Sequence, residues 1–236
     1  MAISFVAGSQ ITEGAGADST ITGTEPTGTA QDDLVIASVY WEGASLSSAP
    51  SGWTTLWAGD HPIAAYATWL GYIVRGASAP SYAWGLSGTP SWEACAIGTF
   101  RGVDTTDPVH SFIMRHSGAV SGTADPLPVW TTVEDAWAIA GIYSLAGASG
   151  SNQAPTGYTF RAGAATGADS TIYSKALSGF PNRDDPSGIS LQNSTQGWGA
   201  WSLALRPSGA VTRELDVAAA AGQLPLPSIV APGAGS

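Results

Sequence analysis

Apolar residues along this chain come in short runs, many with a spacing of two, broken by Gly, Pro and Ser. Ile3–Val6 and Thr20–Thr22 are short strand candidates in a loop-rich opening. Leu34–Trp41 is almost wholly apolar, which marks a central strand covered on both faces. The turn Ala49–Gly52 feeds Trp53–Trp57, and a long strand follows over Ala64–Val74. Tyr82–Leu86 sits between Ala-Pro-Ser and Ser-Gly-Thr-Pro punctuation. In Trp92–Arg101, one set (Trp92, Ala94, Ala96, Gly98, Phe100) alternates with another (Glu93, Cys95, Ile97, Thr99, Arg101), a period of two. Phe112–Arg115, Ala136–Tyr143, Ser170–Leu177 and Trp198–Arg206 complete the strand set. Pro207 cannot donate to a ladder, so the sheet is expected to stop there. No run carries helical spacing, and the Ala-rich piece Val217–Ala221 is short.

The pattern occurs twice. DLVIASVYWEGASLSSAPSGWTTLWAG (33–59) and DAWAIAGIYSLAGASGSNQAPTGYTFRAG (135–163) share an order of parts. An acidic residue leads into an apolar run, a Gly/Ser loop, an Ala-Pro-x-Gly-aromatic-Thr turn and a short strand. Ala67–Val74 matches Ser170–Leu177 more weakly, as Trp92–Arg101 matches Gly197–Arg206. The prediction is an all-β, jelly-roll-like sandwich over residues 1–207, built from two sequence-related halves (about 1–110 and 111–207). Interleaving of the halves in one two-sheet sandwich is favoured, with Leu34–Trp41 and Ala136–Tyr143 at related central positions. Residues 208–236 are rich in Pro, Gly and Ala and read as an extended C-terminal arm. Its apolar residues Leu215, Val217, Leu224, Leu226, Ile229 and Val230 exceed what a flexible linker needs. The expectation is that this arm orders against a neighbouring subunit.

Composition narrows the function. A net charge of −10 and a single lysine, Lys175, argue against a duplex nucleic-acid partner, which needs basic residues to displace counterions. Cys95 is alone in an apolar run, so it reads as a small buried hydrophobe. The opening MAISFVAGSQ lacks a basic n-region and a sustained apolar stretch, so no signal peptide is expected. No segment reaches the length of a membrane span.

Candidate chemistry is thin. There is no Gly-x-Ser-x-Gly elbow, Walker loop or dinucleotide fingerprint, and no motif calls for a cofactor or metal. His61, His110 and His116 are scattered and read as surface or loop residues, although His110 and His116 are near in sequence. The acid pairs Asp32-Asp33, Glu134-Asp135 and Asp184-Asp185 allow a glycosidase pair or a calcium site. Recurrence of the first two before the same kind of strand favours solvated turn chemistry. Of ten tryptophans, Trp92 and Trp198, like Trp53 and Tyr158, hold equivalent repeat positions and are expected in the core. Trp41, Trp57, Trp84 and Trp130 lie near strand ends and are weak candidates for a sugar-stacking platform.

Asp33–Trp41, Ala49–Thr54, Phe100–Asp104, Asp107-Pro108 and Leu203–Pro207 together resemble a family of β-sandwich modules in tailed-bacteriophage structural proteins. The resemblance spans about residues 1–207. It implies a non-enzymatic virion role, as capsid decoration or spike or as tail fibre, acting through assembly. Implied partners are other virion proteins and further copies of the chain; localisation is the virion, after synthesis in the host cytoplasm. It implies no catalytic residues. The alternative is a carbohydrate-binding or adhesin module on a host-surface glycan; a glycosidase or depolymerase is third.

Overall fold

The computed structural model describes residues 1–13, 18–62, 64–117, 122–144, 154–163, 169–179, 182–191 and 197–210. Residues 211–236 lie outside the described residues, and with them the six apolar arm positions from Leu215 to Val230. All regular structure described is β. The first part of the chain forms β1 (Ser4–Glu13), β2 (Thr20–Thr22), β3 (Leu34–Glu42), β4 (Leu46–Ser48), β5 (Thr54–Asp60), β6 (Tyr66–Val74), β7 (Ala83–Leu86) and β8 (Glu93–Arg101). The second forms β9 (Val109–His116), β10 (Thr123–Ala124), β11 (Val129–Thr131), β12 (Trp137–Ser144), β13 (Thr159–Gly163), β14 (Asp169–Ala176), β15 (Asn182–Asp184), β16 (Ile189–Ser190) and β17 (Trp198–Leu205).

Two five-stranded antiparallel sheets dominate, ordered β1-β8-β3-β6-β5 and β9-β17-β12-β14-β13. The two orders run in parallel: edge strand, last long strand, apolar central strand, long strand, strand after the Ala-Pro-x-Gly turn. Each sheet is drawn from one part of the chain alone. The expected interleaving is therefore corrected: the halves stack sheet on sheet and do not exchange strands. Pairing strands within a half closes shorter loops than exchange between halves, at lower entropic cost. The strand candidate at Ile3–Val6 also extends, since β1 pairs with β8 as far as Glu13.

Three apolar cores result. Between the large sheets lie Leu34, Ile36, Tyr40, Leu70 and Phe100 from the first half and Ile139, Tyr143, Ile172, Trp201 and Leu203 from the second. The outer face of the first sheet carries Val35, Ala37, Val39 and Trp41 beneath the small sheet β2-β7-β4. The outer face of the second carries Ala138, Ala140, Ile142 and Ala200, packed with Val129 of β11 and Ile189 of β16. This explains why β3 and β12 lack a polar face: both of their surfaces are covered, and each is central in its sheet.

The turns recur too. Gly52 (φ 84) and Gly157 (φ 80) hold the left-handed position of the two Ala-Pro-x-Gly turns. In the second, the Tyr158 amide donates to the Pro155 carbonyl at 2.8 Å, closing a turn that needs glycine at its third place. Asp32 (φ 68) and Asp135 (φ 55) are the non-glycine residues described with positive φ, and each precedes a central strand. Aspartate tolerates this region better than most residues.

Candidate functional site

The acid pairs serve the frame. Asp33 is buried, accepting from Arg101 Nε at 2.8 Å, Arg101 Nη2 at 2.7 Å and the Ala30 amide at 2.8 Å. The expected turn is present, but Asp33 is not solvated: its carboxylate ties the end of β3 to β8. Asp184 is also buried and accepts from the Tyr158 hydroxyl and from Lys175 Nζ, while Asp185 pairs with Arg183 at 2.8 Å. Both carboxylates of the calcium candidate are thus engaged by the protein itself. Among the described residues no group of three or more His, Cys, Asp or Glu side chains is placed to hold a metal. Burial raises the Cys95 thiol far above its usual range, which leaves it a packing residue.

The tryptophans divide differently from expectation. Trp41 and Trp84 are fully buried, so neither offers a ring face to a sugar. Being next to a strand end does not expose a side chain that packs between the first large sheet and β2-β7-β4. Trp53, Trp69, Tyr82 and Trp84 form one cluster there, with centroids 5.4–5.8 Å apart; Trp53 meets the other three edge to face. Trp57 is half-buried, its indole N–H 3.2 Å from Thr68 Oγ1. Trp130 alone of the four candidates is exposed, at 60 %. It stands on β11, opposite Arg183 of β15, whose guanidinium lies 5.5 Å from the indole centroid. Trp198 is buried as expected, but Trp92 is 38 % exposed.

A one-residue slip separates Trp92 from Trp198: Leu34 pairs with Phe100 and Trp137 with Leu205, so Glu93, not Trp92, stands where Trp198 does. Matching Asp33 with Asp135 sets Leu34 against Ala136. In the structure Leu34 faces the central core with Trp137, whereas Ala136 belongs to an outer core. The backbone match is Asp32 with Asp135. Because side chains alternate faces, a slip of one inverts every in-or-out assignment.

The cluster that tertiary structure assembles is one of histidines. His61 follows β5 in the first half, and His116 ends β9 in the second. Their rings meet edge to face at 4.8 Å, across the side of the sandwich where β5 and β9 are the edges. Tyr66 lies on His61 (4.6 Å) and Trp57 on His116 (5.4 Å). His61 Nε2 is 3.0 Å from the Trp198 carbonyl, so this nitrogen carries the proton and donates. Burial lowers the His61 pKa from its ordinary value; burial, then the neighbouring His61, lowers that of His116 to about 4. Both His116 ring nitrogens are shut off from solvent with no hydrogen-bond partner. His110 is elsewhere, receiving the Thr132 amide at 3.2 Å and lying 3.0 Å from Arg206. His116 thus meets His61, not the His110 near it in sequence, and the surface reading of His61 is corrected, since it is buried in a pairing with no signal in sequence spacing.

At the opposite end, the Ser208 carbonyl accepts from the Met1 amine at 2.9 Å and its amide donates to Gly102 at 2.8 Å. The start of the arm thus leaves beside the junction between the halves. An open groove of about 440 Å³ there is lined by Met1, Asp32, Asp33, Arg101 and Ser208.

Comparison of the chain with protein-family models, with curated proteins and with solved structures gives no match.

Proposed function

We propose that this chain is a non-enzymatic structural protein of a bacteriophage virion, of the decoration, spike or tail-fibre kind. It works as a rigid double-sheet body that assembles with further copies and other virion proteins. The observation that carries this is the use of the motif residues. Asp33 and Arg101 form an ion pair, Gly52 and Gly102 hold left-handed turns, and Phe100, Leu203 and Leu205 fill the central core. Val103 and Pro207 bridge the two halves. These shared positions build and join the sheets, which is what a scaffold requires. Ser208 is held at the Met1 end by Met1 and Gly102, a fixed root for an assembly arm. The test is whether the protein co-purifies with intact particles, followed by truncation after Pro207. The expected result is particle-bound protein, and a truncated chain that folds but attaches or oligomerises more weakly. Protein found only in the soluble lysate, with none on purified particles, refutes the proposal.

One observation favours glycan binding as a second function: Trp130 holds an exposed indole, braced by Arg183, on a two-stranded ladder. A rigid aromatic face beside a planar donor suits the apolar face and hydroxyls of a sugar. A glycan array with the intact chain and with Trp130→Ala tests it; signal equal in both rules this surface out.

A further inference from the structure

We propose that the His61–His116 contact makes the seam between the two large sheets acid-labile, opening first on the side edged by β5 and β9. The geometry places one ring from each half in direct edge-to-face contact. At neutral pH both imidazoles are uncharged and pack as aromatic rings. Protonated His116 would carry two N–H donors in a place where neither nitrogen has a partner, and a buried unmatched donor is costly. A second positive charge on His61 would then sit one ring away.

Among the described residues no carboxylate is paired with His116, and Glu42 of β3, the cross-strand neighbour of Tyr66, is engaged by the Tyr40 hydroxyl. β5 presents Trp57. Its last residue, Asp60, lines an open groove with Gly43, Ser45, Tyr66 and Ser87. The 61–66 segment and β6 present Tyr66, and β12 presents Tyr143, whose hydroxyl donates to the Trp69 carbonyl at 3.0 Å. From β17 comes Gly199, where a Cβ would lie 3.3 Å from both the His116 and Tyr143 rings. On β9 itself, Arg115 stacks on Trp198 at 5.6 Å and pairs with Asp125 at 3.0 Å. The Trp57 ring can attract an imidazolium, but a cation–π contact contributes only about 0.5–1 kcal/mol at a partly exposed site.

The sign follows from the direction of the shift. A histidine whose folded pKa lies below its unfolded one binds its proton more readily when unfolded. Its contribution is intact above about 6.5 and is lost as pH falls toward about 4. The whole gap would change the folding equilibrium roughly 300-fold. Partial solvent access of the ring reduces that, and about tenfold is the expected loss for His116.

The experiment uses the full chain. Histidine side-chain resonances are titrated by NMR, and melting and backbone hydrogen exchange are followed from pH 7.5 to 4.5. The expected results are His116 titrating well below 6.5, a falling melting temperature, and exchange rising first in β5 and β9 while β1 and β13 stay protected. His116→Phe keeps a ring in the seam and should lose less melting temperature over the same range. His116 titrating at or above 6.5, or exchange rising uniformly over both sheets, overturns the proposal. So does an equal pH-dependent loss in His116→Phe. If His116→Phe fails to fold, the wild-type titration and exchange pattern decide alone.

Discussion

Gly141→Ala is a one-methyl change aimed at the middle of the sandwich. Gly141 lies on β12 directly opposite Trp201 of β17. Its backbone is not in the left-handed region, so alanine suits the strand conformation, and elsewhere such a change would stabilise by about 0.5–1 kcal/mol. Here a Cβ would lie within 3.0 Å of both the Trp201 indole and the Thr171 carbonyl oxygen. Trp201 is fully buried in the central core and cannot swing away without disturbing Tyr143 or Leu203. The Thr171 oxygen is backbone on the neighbouring strand β14, so relief requires that strand to move. Overpacking costs about 1–3 kcal/mol, and an immovable backbone atom sets the upper part of that range. For a chain of this size each kcal/mol moves the melting temperature by roughly 2–4 °C, so a drop of about 5–10 °C is expected. Circular dichroism melts of Gly141→Ala are compared with Gly88→Ala, where a Cβ meets nothing within 4 Å. A Trp201→Leu background removes the indole part of the clash and should recover some of the loss. Gly141→Ala melting within about 1 °C of wild type would falsify this account of how the sheets pack.

Ile36→Asp and Ile139→Asp each bury an unpaired carboxylate in the central core and should prevent folding, since the cost is several kcal/mol; soluble protein with unchanged melting would show that the strand is not central. Asp33→Ala strands the Ala30 amide and unties Arg101, and urea unfolding should report a loss of about 2 kcal/mol; Arg101 is 46 % exposed and can rehydrate, which limits the effect. Chelator should leave the melting temperature unchanged, and a drop of many degrees would return attention to Asp184 and Asp185. Far-ultraviolet circular dichroism should show sheet signal, with helix below about a quarter of residues.

Local pattern alone determined much of this molecule. The near-continuous apolarity of Leu34–Trp41 and Ala136–Tyr143 announces strands covered on both faces, because any polar side chain there would be buried. The Ala-Pro-x-Gly turns and the breaks at Gly and Pro are backbone constraints carried by single residues, so they are legible without the fold. Sheet assignment was not legible: hydrophobic alternation says that a strand has two faces but not which half covers them. The fates of Trp41, Trp84 and Trp92 depended on that cover and on a register one residue from the sequence match. The His61–His116 contact was hidden for the same reason. It joins the end of β5 to the end of β9, and only stacking the two sheets brings those edges together. Asp33 could be placed in a turn from its neighbours, but its bond to Arg101 needed β8 to return beside β3. Spacing along the chain records what each residue can do locally; which distant partner it meets is decided by packing the sheets to exclude water.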